Sequence, residues 1–364
     1  MNQRRISIED IAQRAGVSYS TVSRALRDNA LISPKLREEI KQLAQEMNYV
    51  PNAIAQSLQN KRTNTIGVIV TLIADPFFAE VVEGEGIEKI ARPALSVLLS
   101  ASHRNVEQEI AAIDSFHRRR VDGILVADSR ISKEHTKQLT QIAVPTVLIN
   151  SQTENQSEIF HSVAIDDRLG ARLATEHLIS LGHTAIGYLG VGEGDRSRSN
   201  QQRLEGYRMA LAEAGLPQNT DWVAISDADD TRISDVATGQ NMLSKLLTAE
   251  VTGIFCYNDM VAVGALLVCQ ELGILVPRSI SLVGFDGIAL GGYVTPALTT
   301  VSQPMLEIGG IAMQMLLDLL EVKTVENRVL SLFVLLFFNL SLATSKEIYC
   351  LVSNFILVLP KNWV

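Results

Sequence analysis

The sequence predicts two unlike parts, an N-terminal all-α helix-turn-helix headpiece and an α/β body of two doubly wound parallel-sheet subdomains. Two observations carry this prediction. Charge is polarised along the 364 residues: residues 1–62 hold ten Lys/Arg against six Asp/Glu, whereas the whole chain carries a net charge of −8. A small basic terminal piece therefore precedes an acidic body, which suits a module that meets a polyanion attached to a body with another task. From Thr65 onward, short apolar runs alternate with helical stretches, the pattern of strands covered on both faces by crossover helices. Hydrophobic residues at 47% and charged residues at 20% lie in the ordinary globular range and exclude a mainly disordered chain.

In the headpiece, Ser7-Ile8-Glu9-Asp10 has capping-box form and opens a first helix with Ile8, Ile11, Ala12 and Ala15 on its apolar face. Gly16 supplies a turn. Ser18 then caps a second helix, in which Val22 and Leu26 lie four apart and face inward. Ser33-Pro34 caps a third helix with the stripe Leu36, Ile40, Leu43, Ala44 and Met47. A generic three-helix bundle fits the apolar pattern equally well. It fits less well the exposure of Tyr19, Ser20 and Arg24 near the start of the second helix, where a recognition helix reads base edges.

In the body, the apolar runs are Ile66–Val70, Ser96–Leu99, Gly123–Val126 and Thr146–Ile149, then Ala185–Leu189, Val223–Ile225, Gly253–Tyr257 and Ser281–Phe285. Two sets of four, divided near Asp166, predict two subdomains of similar size. Ligands bind outside the carboxyl ends of such strands, so a cleft between the sheets is the expected pocket.

Ile8-Glu9-Asp10-Ile11-Ala12, Ala15-Gly16-Val17-Ser18, Thr21-Val22-Ser23-Arg24, Asn48-Tyr49-Val50-Pro51-Asn52, Ala55 and Leu58 occur in the order found in the lactose repressor/galactose repressor (LacI/GalR) family, which the chain resembles. The resemblance continues through Asp75-Pro76-Phe77-Phe78-Ala79-Glu80, Arg120-Val121-Asp122-Gly123, Leu181-Gly182-His183, Arg203-Leu204-Glu205-Gly206-Tyr207, Asn258-Asp259 and Gly284-Phe285-Asp286 to about Leu330. It implies a sequence-specific DNA-binding repressor, homodimeric on a pseudo-palindromic operator, with a body like the periplasmic sugar-binding proteins whose chain crosses between subdomains three times. Tyr19, Ser20 and Arg24 would read the major groove, with Ser18, Thr21 and Asn29 nearer the phosphates. Pro51–Leu58 would form a hinge helix on DNA, bringing Asn52, Ala55 and Leu58 to the minor groove. That segment is too short to be a stable helix alone, so a partner helix and DNA must order it.

The implied domains are 1–50 (headpiece), 51–63 (hinge and linker) and 64–331 (effector-binding and dimerisation). Within the last, subdomain 1 takes about 64–165 plus 297–326 and subdomain 2 about 166–296 plus 327–331. The effector pocket would draw on Phe77 and Phe78 as an apolar wall, Arg203 as a multiple donor, Asp286 as an acceptor for a vicinal diol, and Asn150, Ser199 and Asn258. Phe77 and Phe78 also read as core, and Asp259 as a helix cap. A sugar or sugar acid is the expected effector, with a purine second.

An enzyme is the first rival. Gly190-Val191-Gly192-Glu193-Gly194-Asp195 puts Asp where a dinucleotide fingerprint needs its third Gly, and phosphate-loop, serine-hydrolase and zinc-protease motifs are missing. No cofactor or metal is expected. A solute-binding receptor without regulatory DNA binding is the second rival, opposed by the basic headpiece and the lack of a signal-like start, which also point to the cytoplasm. Cys256, Cys269 and Cys350 have no paired spacing. Residues 332–364 form an atypical apolar tail. Leu332–Ala343 and Ile348–Leu359 each fall short of the ~18–20 residues of a spanning helix, so no membrane partner is expected. An anchor, a structural extension and an out-of-frame end remain open, the abrupt change favouring the last.

Overall fold

The computed structural model describes residues 6–50, 62–83, 95–103, 105–127, 130–153, 160–192, 198–226, 235–326, 328–330 and 333–335. Residues 1–63 and 64–364 form two compact units. The hinge positions Asn52, Ala55 and Leu58 lie outside the described residues, as does 336–364 of the tail.

The first unit holds α1 (Ile8–Ala15), α2 (Tyr19–Ala25) and α3 (Pro34–Glu46). Ser7 caps α1 as the capping box requires, its N–H donating to Asp10 at 2.8 Å and its Oγ accepting from the Asp10 N–H at 3.3 Å. Gly16 ends the helix at φ +67°, a conformation that favours glycine. Ile11, Val22, Ala25, Ile32, Ile40 and Ala44 close the core, with the expected core residue Leu26 only half-buried at its margin.

The second unit begins with β1 (Thr65–Val70), α4 (Pro76–Val82), β2 (Ser96–Ala101), α5 (Val106–Arg118) and β3 (Gly123–Ala127). There follow β4 (Arg130–Ile131), α6 (Lys133–Ile142), β5 (Thr146–Ile149), β6 (Gln152–Thr153) and β7 (His161–Ile165). The chain then passes into α7 (Asp167–Ser180), β8 (Ile186–Gly190), α8 (Arg198–Glu213), β9 (Val223–Ile225), α9 (Asp235–Thr248), β10 (Gly253–Cys256), α10 (Asp259–Glu271) and β11 (Ser281–Asp286). It ends with β12 (Thr299–Ser302), α11 (Met305–Leu320), β13 (Arg328–Leu330) and β14 (Phe333–Leu335). One sheet has the order β13-β7-β5-β3-β1-β2 and is parallel throughout. The other has the order β14-β12-β11-β10-β8-β9, parallel except where β14 runs against β12. Buried apolar side chains cover the inner strands, including Ile66, Val68, Leu125, Val147, Tyr188, Phe255 and Phe285. The chain crosses between the sheets after β7, after β12 and after β13.

These crossings correct the subdomain boundaries. Sequence reasoning gave 297–326 to the first subdomain, but β12 joins the second sheet beside β11, and only α11 returns to pack on the first. It gave 327–331 to the second, but β13 pairs with β7 in the first sheet. The physical reason is strand length: Thr299-Thr300-Val301-Ser302 and Arg328-Val329-Leu330 are too short and mixed to read as apolar runs. The tail boundary at 332 also moves, because Phe333–Leu335 forms β14, paired with β12 through Val334↔Val301. The helix that holds Phe77 and Phe78 is described to Val82, where Glu83 turns extended; residues 84–94 lie outside the description.

Candidate functional site

In the headpiece, Ser18, Tyr19, Ser20, Arg24 and Asn29 are exposed and Thr21 half-buried, as the recognition-helix reading requires. The Ser18 Oγ accepts the Thr21 N–H at 3.2 Å and lies 2.8 Å from Ser20 Oγ and 2.9 Å from Thr21 Oγ1, so one cap fixes the start of α2 and arranges its hydroxyls. Arg24 has no side-chain partner among the described residues. Arg27 is tied down instead, its Nη2 on Ser23 Oγ at 2.6 Å and its Nε on the Ser23 carbonyl at 2.9 Å. Asn29 accepts the Leu31 N–H at 3.0 Å through its Oδ1.

In the body, the strand ends converge on Arg203 of α8. Its guanidinium is buried, with Nε donating to Asp167 Oδ1 at 2.7 Å and Nη1 to the Tyr257 carbonyl at 2.7 Å. Nη1 also stands 3.6 Å from Asp286 Oδ1. The rings of Phe285 and Tyr257 cover it at 3.7 and 4.7 Å from the guanidinium carbon. Asp286, at the end of β11, accepts from Gln303 Nε2 at 2.7 Å, and Gln303 Oε1 in turn accepts from Asn150 Nδ2 at 3.1 Å. Asn150 follows β5 of the first sheet, so this chain of contacts runs from one subdomain to the other. At the rim, Glu80 of α4 accepts the Ala289 N–H at 3.1 Å.

Burial works against the charge of Arg203, but Asp167, Tyr257 and Asp286 offset it and its pKa is raised. Burial pushes the Asp286 carboxyl well above the usual carboxylate range despite Arg203. It pushes Asp259 up to about 7, against hydrogen bonds from Thr300, Ile288 and Gly287 and the attraction of Arg203. The site is thus a buried, acceptor-rich cluster around one committed cation.

The structure brings Arg203 and Asp286 together and links Asn150 to them through Gln303. Ser199 approaches them through Tyr257, whose hydroxyl lies 3.1 Å from its Oγ. Asn258 turns inward, accepting the Val261 N–H at 2.9 Å as the cap of α10 and donating to Asp235 at 2.7 Å. It, and not Asp259, is therefore the helix cap, because its Oδ1 reaches the N–H three residues on. Phe77 and Phe78 are buried in the main apolar cluster, edge-to-face at 5.1 Å. Sequence reasoning missed Asp167, Tyr257 and Gln303. Their neighbours in the chain carry no chemical motif; only the distances across the fold single them out. Among the described residues, no cluster of His, Cys, Asp and Glu suited to a metal ion occurs, and no helix is long and apolar enough to cross a membrane.

An exposed helix-turn-helix face and a two-sheet body whose strand ends are joined by a buried polar cluster define a class of protein, the DNA-binding regulator with a periplasmic-binding-protein-like body. Comparisons with known proteins agree. Residues 7–52 match the lacI family of bacterial regulatory proteins, and residues 175–335 match a periplasmic binding protein-like domain. Catabolite control protein A of Priestia megaterium is 33% identical over 328 residues, 90% of this chain and 96% of that protein. The crystal structure of the lac repressor dimer bound to operator and the anti-inducer ONPF superposes with a TM-score of 0.78 at 27% identity, covering 92% of this chain and 98% of that one. The transcriptional regulator CelR in complex with cellobiose superposes at 0.65 with 27% identity, covering 91% and 99%. The chain belongs to the LacI family, whose members are DNA-binding transcription regulators.

Proposed function

We propose that this chain is a sequence-specific repressor that binds a pseudo-palindromic operator as a homodimer and is switched by a small molecule, most simply a sugar, held in the cleft between its two subdomains. The observation that carries the reading is the continuous line Arg203, Asp286, Gln303, Asn150, which spans the two sheets with charged and amide groups able to meet vicinal hydroxyls. The exposure of Tyr19, Ser20 and Arg24 on α2 supports the DNA arm, and the basic charge of residues 1–62 supports contact with phosphates. A ligand that fits one angle between the subdomains better than another shifts the equilibrium between two dimer states, and the hinge at 51–63 carries the shift to the headpieces. Arg24, exposed and with no side-chain partner among the described residues, favours this reading over a receptor without regulatory DNA binding.

The test combines operator selection from random duplexes with fluorescence anisotropy, in the presence and absence of sugars that raise the melting temperature. Arg203→Ala or Asp286→Ala should abolish the sugar response while operator affinity without sugar stays within about threefold, a change below ~0.7 kcal/mol. Retained switching in both variants would sink the cleft assignment, and failure to select any duplex would sink the repressor reading.

A further inference from the structure

The loop that follows β11 is built on an unfavourable backbone. Asp286 sits at φ +120°, where a residue with a Cβ is strained and stays only if its surroundings over-determine it. Gln303 holds it twice, its N–H on the Asp286 carbonyl at 2.8 Å and its Nε2 on Oδ1 at 2.7 Å. Gly287 follows at φ +79°, where a Cβ would lie 2.6 Å from Ser302 Oγ. The remaining restraint is Asp259, the first residue of α10 and 0% exposed. Its Oδ2 accepts the N–H groups of Gly287 at 2.8 Å and Ile288 at 2.9 Å, and its Oδ1 accepts the Thr300 hydroxyl on β12. Gly284 on β11 leaves room for this carboxylate, since a Cβ there would stand 2.1 Å from Asp259 Oδ1.

We propose that Asp259 is a positioning residue for the effector response. It fixes the two peptides after Asp286 and so aims the Asp286 carboxylate at Arg203 and Gln303. The inference rests on the reading that Asp286 meets the effector. Asp259 itself is sealed from the cleft, and the capping of α10 is already done by Asn258. All its side-chain bonds go to the loop behind Asp286 and to the neighbouring strand. A neutral isostere keeps one oxygen for the two N–H groups, and the Thr300 hydroxyl can turn to accept from the new amide. Alanine keeps neither.

The experiment uses the full chain on its selected operator, titrated with D-glucose, D-galactose, D-ribose and cellobiose, for wild type, Asp259→Ala, Asp259→Asn and Asp286→Ala. Asp259→Ala should raise the half-maximal sugar concentration at least about tenfold while sugar-free operator affinity stays within about threefold. Asp259→Asn should restore the response to within about threefold of wild type. An unchanged response in Asp259→Ala, or an Asn variant as impaired as the Ala variant, overturns the proposal. Asp286→Ala with an intact response, or no response of wild type to any sugar, overturns the cleft reading instead. Hydrogen exchange of the peptide spanning 284–290 tests the positioning without any sugar: it should accelerate in Asp259→Ala and keep its wild-type rate in Asp259→Asn, and equal rates in all three overturn the proposal. If Asp259→Ala does not fold, Thr300→Val removes only the hydroxyl on Oδ1; faster exchange in the same peptide supports the proposal and an unchanged rate overturns it.

Discussion

A carboxylate held above its ordinary pKa by burial makes stability depend on pH, and Asp259 is such a group, raised to about 7 in the folded chain from 3.8. The folded state then binds the proton more tightly than the unfolded one, so this contribution is fully present below the unfolded value and is lost as pH rises through the folded value. The melting temperature of the wild type should therefore fall relative to Asp259→Asn between about pH 4 and pH 7, a difference that cancels the opposing titration of His177 and His183 elsewhere in the body. Parallel melting curves for the two proteins across that range would remove the buried-acid assignment. At the DNA surface, Arg24→Ala should cost ~1–3 kcal/mol at one operator base pair and little at the others, read from competition with single-base variants. A loss spread evenly over all variants would make Arg24 a phosphate contact. Arg203 and Asp286 were singled out in the sequence because each stands within a family-like motif, Arg203 in the second turn of α8 and Asp286 at the end of β11. Asp167, Tyr257 and Gln303 were not, since each matters only through a partner far along the chain, 36 residues away for Asp167 and Arg203.

Elements were legible where their periodicity was long enough. The eight apolar runs all became strands, and the Ser7, Ser18 and Ser33 caps mark the true helix starts. What stayed hidden were short strands of mixed composition: β7, β12, β13 and β14 join their sheets through backbone pairing with strands already in place. Helix pairing was equally invisible, though glycines mark it. A Cβ on Gly239 of α9 would lie 2.1 Å from the Val261 carbonyl oxygen, and one on Gly264 of α10 would lie 2.0 Å from the Val236 carbonyl oxygen. The two helices thus meet backbone to backbone through a reciprocal pair of glycines. Gly264→Ala forces them apart, and overpacking of this kind costs typically ~1–3 kcal/mol despite the better helix propensity of alanine. Its melting temperature should drop by several degrees, about 2–8 °C on that scale. An increase would mean that the helices slide apart without cost.

At the scale of the whole body, the proposed switch needs two arrangements of the sheets that the three crossings join, and polar bonds between the subdomains are what would tell such arrangements apart. Two such bonds are Asn150 to Gln303 and Glu80 to the Ala289 N–H. Glu80 is the more telling, because α4 packs on α11, which lies on the first sheet, whereas Ala289 comes three residues after Asp286 in the second subdomain. Glu80→Ala frees an N–H that lies at the surface and can turn to water, so folding stability should change little and the melting temperature should stay within about 1 °C. The angle between subdomains has no such substitute. A charge-assisted hydrogen bond present in one arrangement only, even one weakened by solvent, is enough to move a near-balanced equilibrium several-fold. Glu80→Ala should therefore change operator affinity and half-maximal sugar concentration together, each by about three- to tenfold, and linkage requires that both shifts follow from the same altered population. Anisotropy titrations of operator at several sugar concentrations measure the two at once. A variant that melts as wild type does and binds both partners unchanged would show that this bond exists equally in both arrangements and that the switch turns elsewhere.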